Sequence, residues 1–169
     1  MRKLKLFSLL MCLFIGIGQM WGADDVINNS ATSSKLGNTA TSTWVNAFTW
    51  EGASGANYTI RSMGTKSTTQ ALQWNTSGYL YQTSSGGTLK SVTINGKSGK
   101  SVKIYASNSA YNAQPSGTAL ATLSLTGSDA TYTFTSNYTY LALVGGTSGV
   151  AITSITVEYT SSGSNKPTV

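Results

Sequence analysis

Histidine is absent from this chain, and its single cysteine, Cys12, lies within an apolar run near the start. Beyond that run there is neither thiol nor imidazole, so disulfides, Cys/His zinc sites and histidine-based acid–base catalysis are excluded. Carboxylates are equally scarce, 5 against 11 lysines and arginines. They are Asp24, Asp25, Glu51, Asp129 and Glu158. Glycoside hydrolysis needs two that face each other across about 5 to 9.5 Å. Only Glu51 and Asp129 are candidates for such a pair, because Asp24 and Asp25 lie at the expected new terminus and Glu158 is predicted to point outward. Serine and threonine abound, yet neither a Ser-x-x-Lys spacing nor a Gly-x-Ser-x-Gly elbow supplies a base or a nucleophile turn. The absence of an Asp-x-Asp-x-Asp loop removes the usual calcium site; a structural calcium held by backbone carbonyls stays open. No other cofactor is implied, no metal ligands are assigned, and no catalytic residue is assigned. The expectation is a protein that is not an enzyme.

The apolar run itself has the order of a secretory signal. Arg2, Lys3 and Lys5 precede Leu6 to Ile17, and Gly22 and Ala23 supply small residues before Asp24. Cleavage after Ala23 leaves eight basic residues against five acidic ones. Nowhere does an apolar run reach the roughly 20 residues of a membrane-spanning helix. The expected product is therefore secreted, extracellular or at the cell surface, with no transmembrane anchor.

Residues 24–160 read as one domain. Short runs rich in Val, Ile, Thr, Tyr and Trp recur between Gly, Asn and Ser, and no stretch carries a 3.6-residue stripe. The runs are Trp44 to Trp50, Tyr58 to Ser62, Ala71 to Trp74, Gly78 to Thr83, Leu89 to Asn95, Ser101 to Ser107, Ala119 to Leu125, Thr131 to Thr135, Tyr138 to Val144 and Ile152 to Thr160. About ten strands result, and with no helix to cover them their apolar faces must pack on each other. The fold class is all-β, an antiparallel sandwich of jelly-roll type like those of galactose-binding and carbohydrate-binding modules, with a closed barrel as the alternative. Asn95-Gly96 is the best hairpin signal. Residues 161–169, Ser-Ser-Gly-Ser-Asn-Lys-Pro-Thr-Val, have the composition of a flexible linker or tail.

Several of these segments carry a resemblance: Tyr79-Leu80-Tyr81-Gln82-Thr83, Ser85 to Ile94, Val102 to Ser107, Ser109-Ala110-Tyr111, Tyr138 to Leu143 and Ile152 to Tyr159. Together they resemble a group of secreted β-sandwich modules of Bacteroidetes, found after signal peptides and before immunoglobulin-like or sorting domains. The resemblance covers most of residues 24–160 and rests on strand cores and turns. It implies a jelly-roll fold, export, and a role in surface display or glycan contact; fold analogy by itself does not fix a function.

Aromatic residues offer the best lead to a ligand, since a tryptophan or tyrosine face can carry the apolar side of a sugar ring, although the same residues also serve as core. Trp50, Glu51, Arg61, Trp74 and Asn75 fall at strand ends, where sandwich loops gather, and Tyr111 lies on a long loop. These six form the expected ligand surface, for carbohydrate or a cell-surface partner. Nucleic acid is not expected. Lys90, Lys97, Lys100 and Lys103 form the one basic concentration, which reads either as a contact for an anionic polysaccharide, a membrane surface or nucleic acid or, the favoured explanation, as protection of strand edges and solubility. A spacer module of a longer surface protein, with no small ligand, is the alternative.

Overall fold

The computed structural model describes residues 23–37, 41–64 and 68–160. The expected signal through Gly22 and the tail 161–169 lie outside the described residues. The order is β1 (Asp25–Asn28), α1 (Asn29–Leu36), β2 (Phe48–Glu51), β3 (Asn57–Arg61), β4 (Leu72–Trp74), β5 (Tyr79–Gln82), β6 (Thr88–Gly96), β7 (Lys100–Ser107), β8 (Ala121–Leu125), β9 (Asp129–Thr133), β10 (Tyr140–Gly145) and β11 (Val150–Thr160). A five-stranded sheet runs β1-β11-β6-β9, with β4 also on β11, and a six-stranded sheet runs β2-β3-β5-β10-β7-β8. Every pairing is antiparallel. The two sheets close on one core in which Tyr58, Ile60, Leu80, Ile104, Leu141 and Leu143 of the larger meet Ile27, Trp74, Val92, Ile94, Ile152, Ile155 and Val157 of the smaller. This is the expected all-β sandwich. Among the described residues no helix is long and apolar enough to cross a membrane.

Three local expectations are corrected. The N-terminal segment forms both a strand and a helix where neither is predicted. Asp-Val-Ile-Asn is too short and polar to signal a strand, and α1, at eight residues, is too short for a stripe to show. Its real signals are caps: the Asn28 side chain accepts from Ala31 N at 3.1 Å, and Gly37, at φ 66°, donates its N–H to Ser33 O. Secondly, Asn95-Gly96 is not a hairpin turn, because β6 and β7 belong to different sheets. The segment is an arch from one sheet to the other. Gly96 matters there for closeness, since a Cβ on it would lie 2.9 Å from Leu125 Cδ1 and 3.0 Å from Ala151 O, and the positive φ of the arch falls on Gly99 instead. Thirdly, Trp44 precedes the strand: it bridges to Met63, which bridges to Gln73, so this stretch turns the corner between sheets.

Register defines two ends. Residues 97–99, 75–77, 126–128 and 146–149 share the arch end, while Asp25, Gln82, Thr88, Ser107, Tyr140 and Thr160 lie toward the other. Asp25 stands opposite Val157 and Thr160 opposite Thr88, so the domain's first and last strands have their outer ends side by side.

Candidate functional site

Alternation along the larger sheet sends Leu80, Gln82, Ile104, Leu141 and Leu143 inward and leaves Tyr79, Tyr81, Lys103, Tyr105, Ala142 and Val144 on the outer face. One row across that face reads Thr59, Tyr81, Ala142, Tyr105 and the next reads Arg61, Tyr79, Val144, Lys103, Thr122. Tyr79 and Tyr81 stack with ring centroids 5.6 Å apart. Tyr81, Tyr105, Ala142 and Val144 form a second apolar cluster, separate from the core, against which Tyr111 and Ala119 pack. The cover is the connection 108–120, which leaves β7, crosses to β5 and returns to β8. It is tied down where Tyr111 N donates to Gln82 O at 3.1 Å, and it rejoins the sheet where Leu120 N donates to Ile104 O at 2.8 Å.

Between this strap and β7 lies an open cleft of about 380 Å³, lined by Tyr105, Ser107, Tyr111, Pro115, Ser116 and Leu120, with Ala106 and Thr118. That volume sits at the small end of the range for ligand pockets, about 300 to 1,000 Å³. Leu120 is 41 % exposed, one of two large apolar residues so exposed among the described residues. An aromatic and aliphatic surface edged by hydroxyls fits an amphipathic ligand. Burial, with Tyr105 and Tyr138 nearby, pushes the Tyr111 phenol up to about 12, so it remains a hydrogen-bond donor throughout the neutral range.

Of the six residues expected to form a ligand surface, Tyr111 alone lines the cleft. Trp74 is completely buried, and its indole N–H has no acceptor among the described residues. Trp74 therefore presents no face to a ligand. Trp50 pairs with Tyr58 on the inward side, ring centroids 5.4 Å apart. Glu51 is exposed at the end of edge strand β2. Arg61 points outward, its guanidinium carbon 5.5 Å from the centre of the Trp44 ring. Asn75 is at the arch end, its side chain accepting from Ser77 N within a turn. These five are spread over both ends and both faces and make no common surface. Glu51 and Asp129 occupy edge strands of different sheets, at opposite ends. The four lysines also separate: Lys90 pairs with Glu158 at 3.2 Å on the smaller sheet, Lys100 Nζ donates to Ser148 O at 2.8 Å, Lys97 lies in the arch, and Lys103 faces out from β7.

A second polar constellation, which strand patterning alone does not predict, is sealed between the sheets. Asp25 is wholly buried. Its Oδ1 accepts from Ser54 N at 2.8 Å, and its Oδ2 accepts from Ser54 Oγ at 2.7 Å, Tyr58 OH at 2.6 Å and Tyr159 OH at 2.8 Å. Gln82 Nε2 donates to both phenols, at 2.9 and 2.6 Å, and Gln82 Oε1 accepts from Leu141 N at 2.7 Å. The cluster joins β1, β3, β5, β10 and β11 with every amide and carboxylate oxygen occupied, the condition on which buried polar groups are tolerated. Gly52 and Gly86 close it off, since a Cβ on either would strike Asp25 or Ser54. Buried and fully bonded in this way, the cluster works as a structural tie between the sheets.

This cluster has a consequence at high pH. Burial first, then the partner phenol of Tyr159 and the neighbouring Asp25, raise Tyr58 far above the ordinary phenol value of 10.0; burial also raises Tyr159. Below pH 10 both forms of the chain carry neutral tyrosines and the stabilisation is complete. Above it the unfolded chain loses these two protons while the folded one keeps them, so stability falls by about 1.4 kcal/mol per pH unit for each phenol. Urea midpoints measured across this range are expected to drop accordingly, and phenolate absorbance from these two residues is expected only on unfolding. Free titration of every tyrosine in the native protein would contradict the buried cluster.

Comparison with family models, curated proteins and solved structures finds no match to this chain.

Proposed function

We propose that the chain is an exported, non-catalytic binding module that holds a carbohydrate in the strap cleft through Tyr105, Tyr111 and Leu120, with Ser107, Ser116 and Thr118 serving the sugar hydroxyls. The observation that carries this reading is one small cleft in which the exposed Leu120 and the half-buried Tyr111 meet a rim of serine and threonine hydroxyls, over the largely buried Tyr105. The separation of Glu51 from Asp129 speaks against glycoside hydrolysis by that pair, because the reaction needs two carboxylates facing each other. The signal-like order of residues 1–23 in the sequence, together with the resemblance to secreted Bacteroidetes modules, is the basis for reading the location as extracellular or at the cell surface.

The spacer reading fares less well against the geometry. A spacer gains reach when the chain enters at one pole and leaves at the other. Here Asp25 and Thr160 close the domain at the same end, so modules strung in series would gain little length from it. Such a domain suits a pendant that presents a face.

The test is a glycan array followed by titration calorimetry. Tyr111→Ala is expected to weaken binding by about 2 kcal/mol, roughly thirtyfold, the cost of losing a central aromatic contact. Asn75→Ala, at the opposite end, is expected to leave affinity unchanged. Indifference of the wild-type protein to every glycan, or full affinity in Tyr111→Ala, would reject the proposal.

A further inference from the structure

The charges around the cleft are one-sided. Among the described residues, the carboxylates all lie elsewhere: Asp25 is inside the polar cluster, Asp24 precedes β1 on the smaller sheet, Asp129 accepts from Asn95 on that sheet, and Glu51 is on the far edge strand β2. Glu158, on the smaller sheet, is bonded by Ser91 at 2.8 Å and by Lys90, which hold its carboxyl below the usual range. The stretch of outer face from β5 to β8 thus carries no acid. It does carry a cation.

Lys103 is exposed, and its register partners are Val144 and Thr122, neither of which offers a counter-charge. It precedes Tyr105 by two residues on the same face, about 6.8 Å along the strand, within the span of a lysine side chain. The other cations described near this sheet are engaged or distant. Arg61 lies over Trp44, Lys100 is tied to Ser148 O, and Lys97 is in the arch. Edge protection does not account for Lys103 either, because β7 is an interior strand between β10 and β8. Lys103 is not itself in the cleft lining, but it stands on the same sheet face one alternate residue from the cleft-lining Tyr105, and among the described residues no acid faces it, so its charge disfavours cationic ligands there and favours anionic ones.

Resting on the carbohydrate reading above, we infer that the ligand of the cleft is an acidic sugar, bearing a carboxylate or a sulfate, and that Lys103 selects it. Lys103 sets charge preference while Tyr105, Tyr111 and Leu120 supply the ring contact.

The experiment is calorimetric titration of the whole protein with oligogalacturonate, chondroitin sulfate oligosaccharides, neutral laminarin and xylan oligosaccharides, and duplex DNA, at about 50 and about 500 mM NaCl, which shortens the screening length severalfold. Both acidic probes or one of them bind tighter than the neutral ones, and which one binds separates carboxylate from sulfate. Lys103→Gln lowers that affinity about fivefold, the size of one exposed ion pair, Lys103→Glu lowers it further, and high salt erases the difference. Lys97→Gln leaves affinity intact. Neutral oligosaccharides bound as tightly as acidic ones, or an unaltered Lys103→Gln, would overturn the inference; if Tyr111→Ala still removed that neutral binding, the carbohydrate reading itself would survive. Failure of every oligosaccharide would sink both. Equal binding of DNA, independent of Tyr111, would replace the acidic sugar by a general polyanion.

Discussion

Asp25→Ala is expected to lower the unfolding free energy by about 4 kcal/mol, or roughly 12 °C in melting temperature for a domain of this length. The variant strands four donors: Ser54 N, Ser54 Oγ, Tyr58 OH and Tyr159 OH all point at the missing carboxylate. Each buried donor without a partner costs about 1 to 3 kcal/mol. Two effects keep the total below the sum. The two phenol oxygens are 2.7 Å apart and can bond each other, and the folded protein no longer bears the desolvation of a charge. Asp25→Asn preserves the shape but turns one acceptor into a donor facing donors, so an intermediate loss is expected. Tyr159→Phe, which leaves Tyr58 and Ser54 on the carboxylate, is expected to cost less than either. Urea denaturation followed by tryptophan fluorescence and circular dichroism would measure the series. A loss under about 1 kcal/mol for Asp25→Ala would mean that the cluster adds nothing that water could not.

Gly145→Ala is expected to be worse, preventing accumulation of folded protein. Gly145 ends β10, inside the larger sheet, where its N–H donates to Gly78 O at 2.9 Å. The position of an added Cβ is already taken by the backbone oxygen of Asn75, with Asn75 C at 2.9 Å and Trp74 Cβ at 3.5 Å. A flexible side chain could swing away; a backbone carbonyl cannot, and this one is held in its turn by Gly78 N. Displacing the turn moves Trp74 out of the core, which places the change among the large overpacking penalties, above about 4 kcal/mol. Gly99→Ala is the matched comparison. Gly99 has φ 72° and nothing within 4 Å of its Cβ site, so only the backbone strain of about 1 kcal/mol is expected. Soluble yield and far-ultraviolet dichroism decide it: Gly145→Ala with the melting temperature of the wild type would mean that the 75–78 turn does not press on β10.

The strands are legible in the sequence because their apolar residues alternate, and alternation is a local property. What stays hidden is what depends on two distant segments meeting. Tyr111 can be singled out as an aromatic on a long loop, but the rest of its cleft, Tyr105 and Leu120, exists only because the strap crosses β7 and returns to β8. Trp74 ends a strand, yet it points inward with Leu72, as parity requires once β4 is placed on β11. The Asp25 cluster does leave a trace in the sequence, although a faint one. Asp25 shares the face of Ile27, Tyr58 that of Ile60, Gln82 that of Leu80, and Tyr159 that of Val157. Polar side chains repeatedly in phase with the apolar set, on strands of both sheets, announce a polar centre to the core. The arch at Asn95-Gly96 looks like a hairpin because Asn-Gly reports a reversal without saying whether the strands it joins bond to each other.

The pairing of the first strand with the last also sets how the molecule responds to tension. A pull applied at both ends would reach Asp25 and Thr160 at the same margin and draw β1 and β11 apart across their ladder, so the rungs would break in succession instead of sharing the load. With four residues in β1, that seam is short, and Asp25 sits at its first rung. Stretching would therefore extract the carboxylate before the greater portion of either sheet is disturbed, so the domain would give way first at this seam.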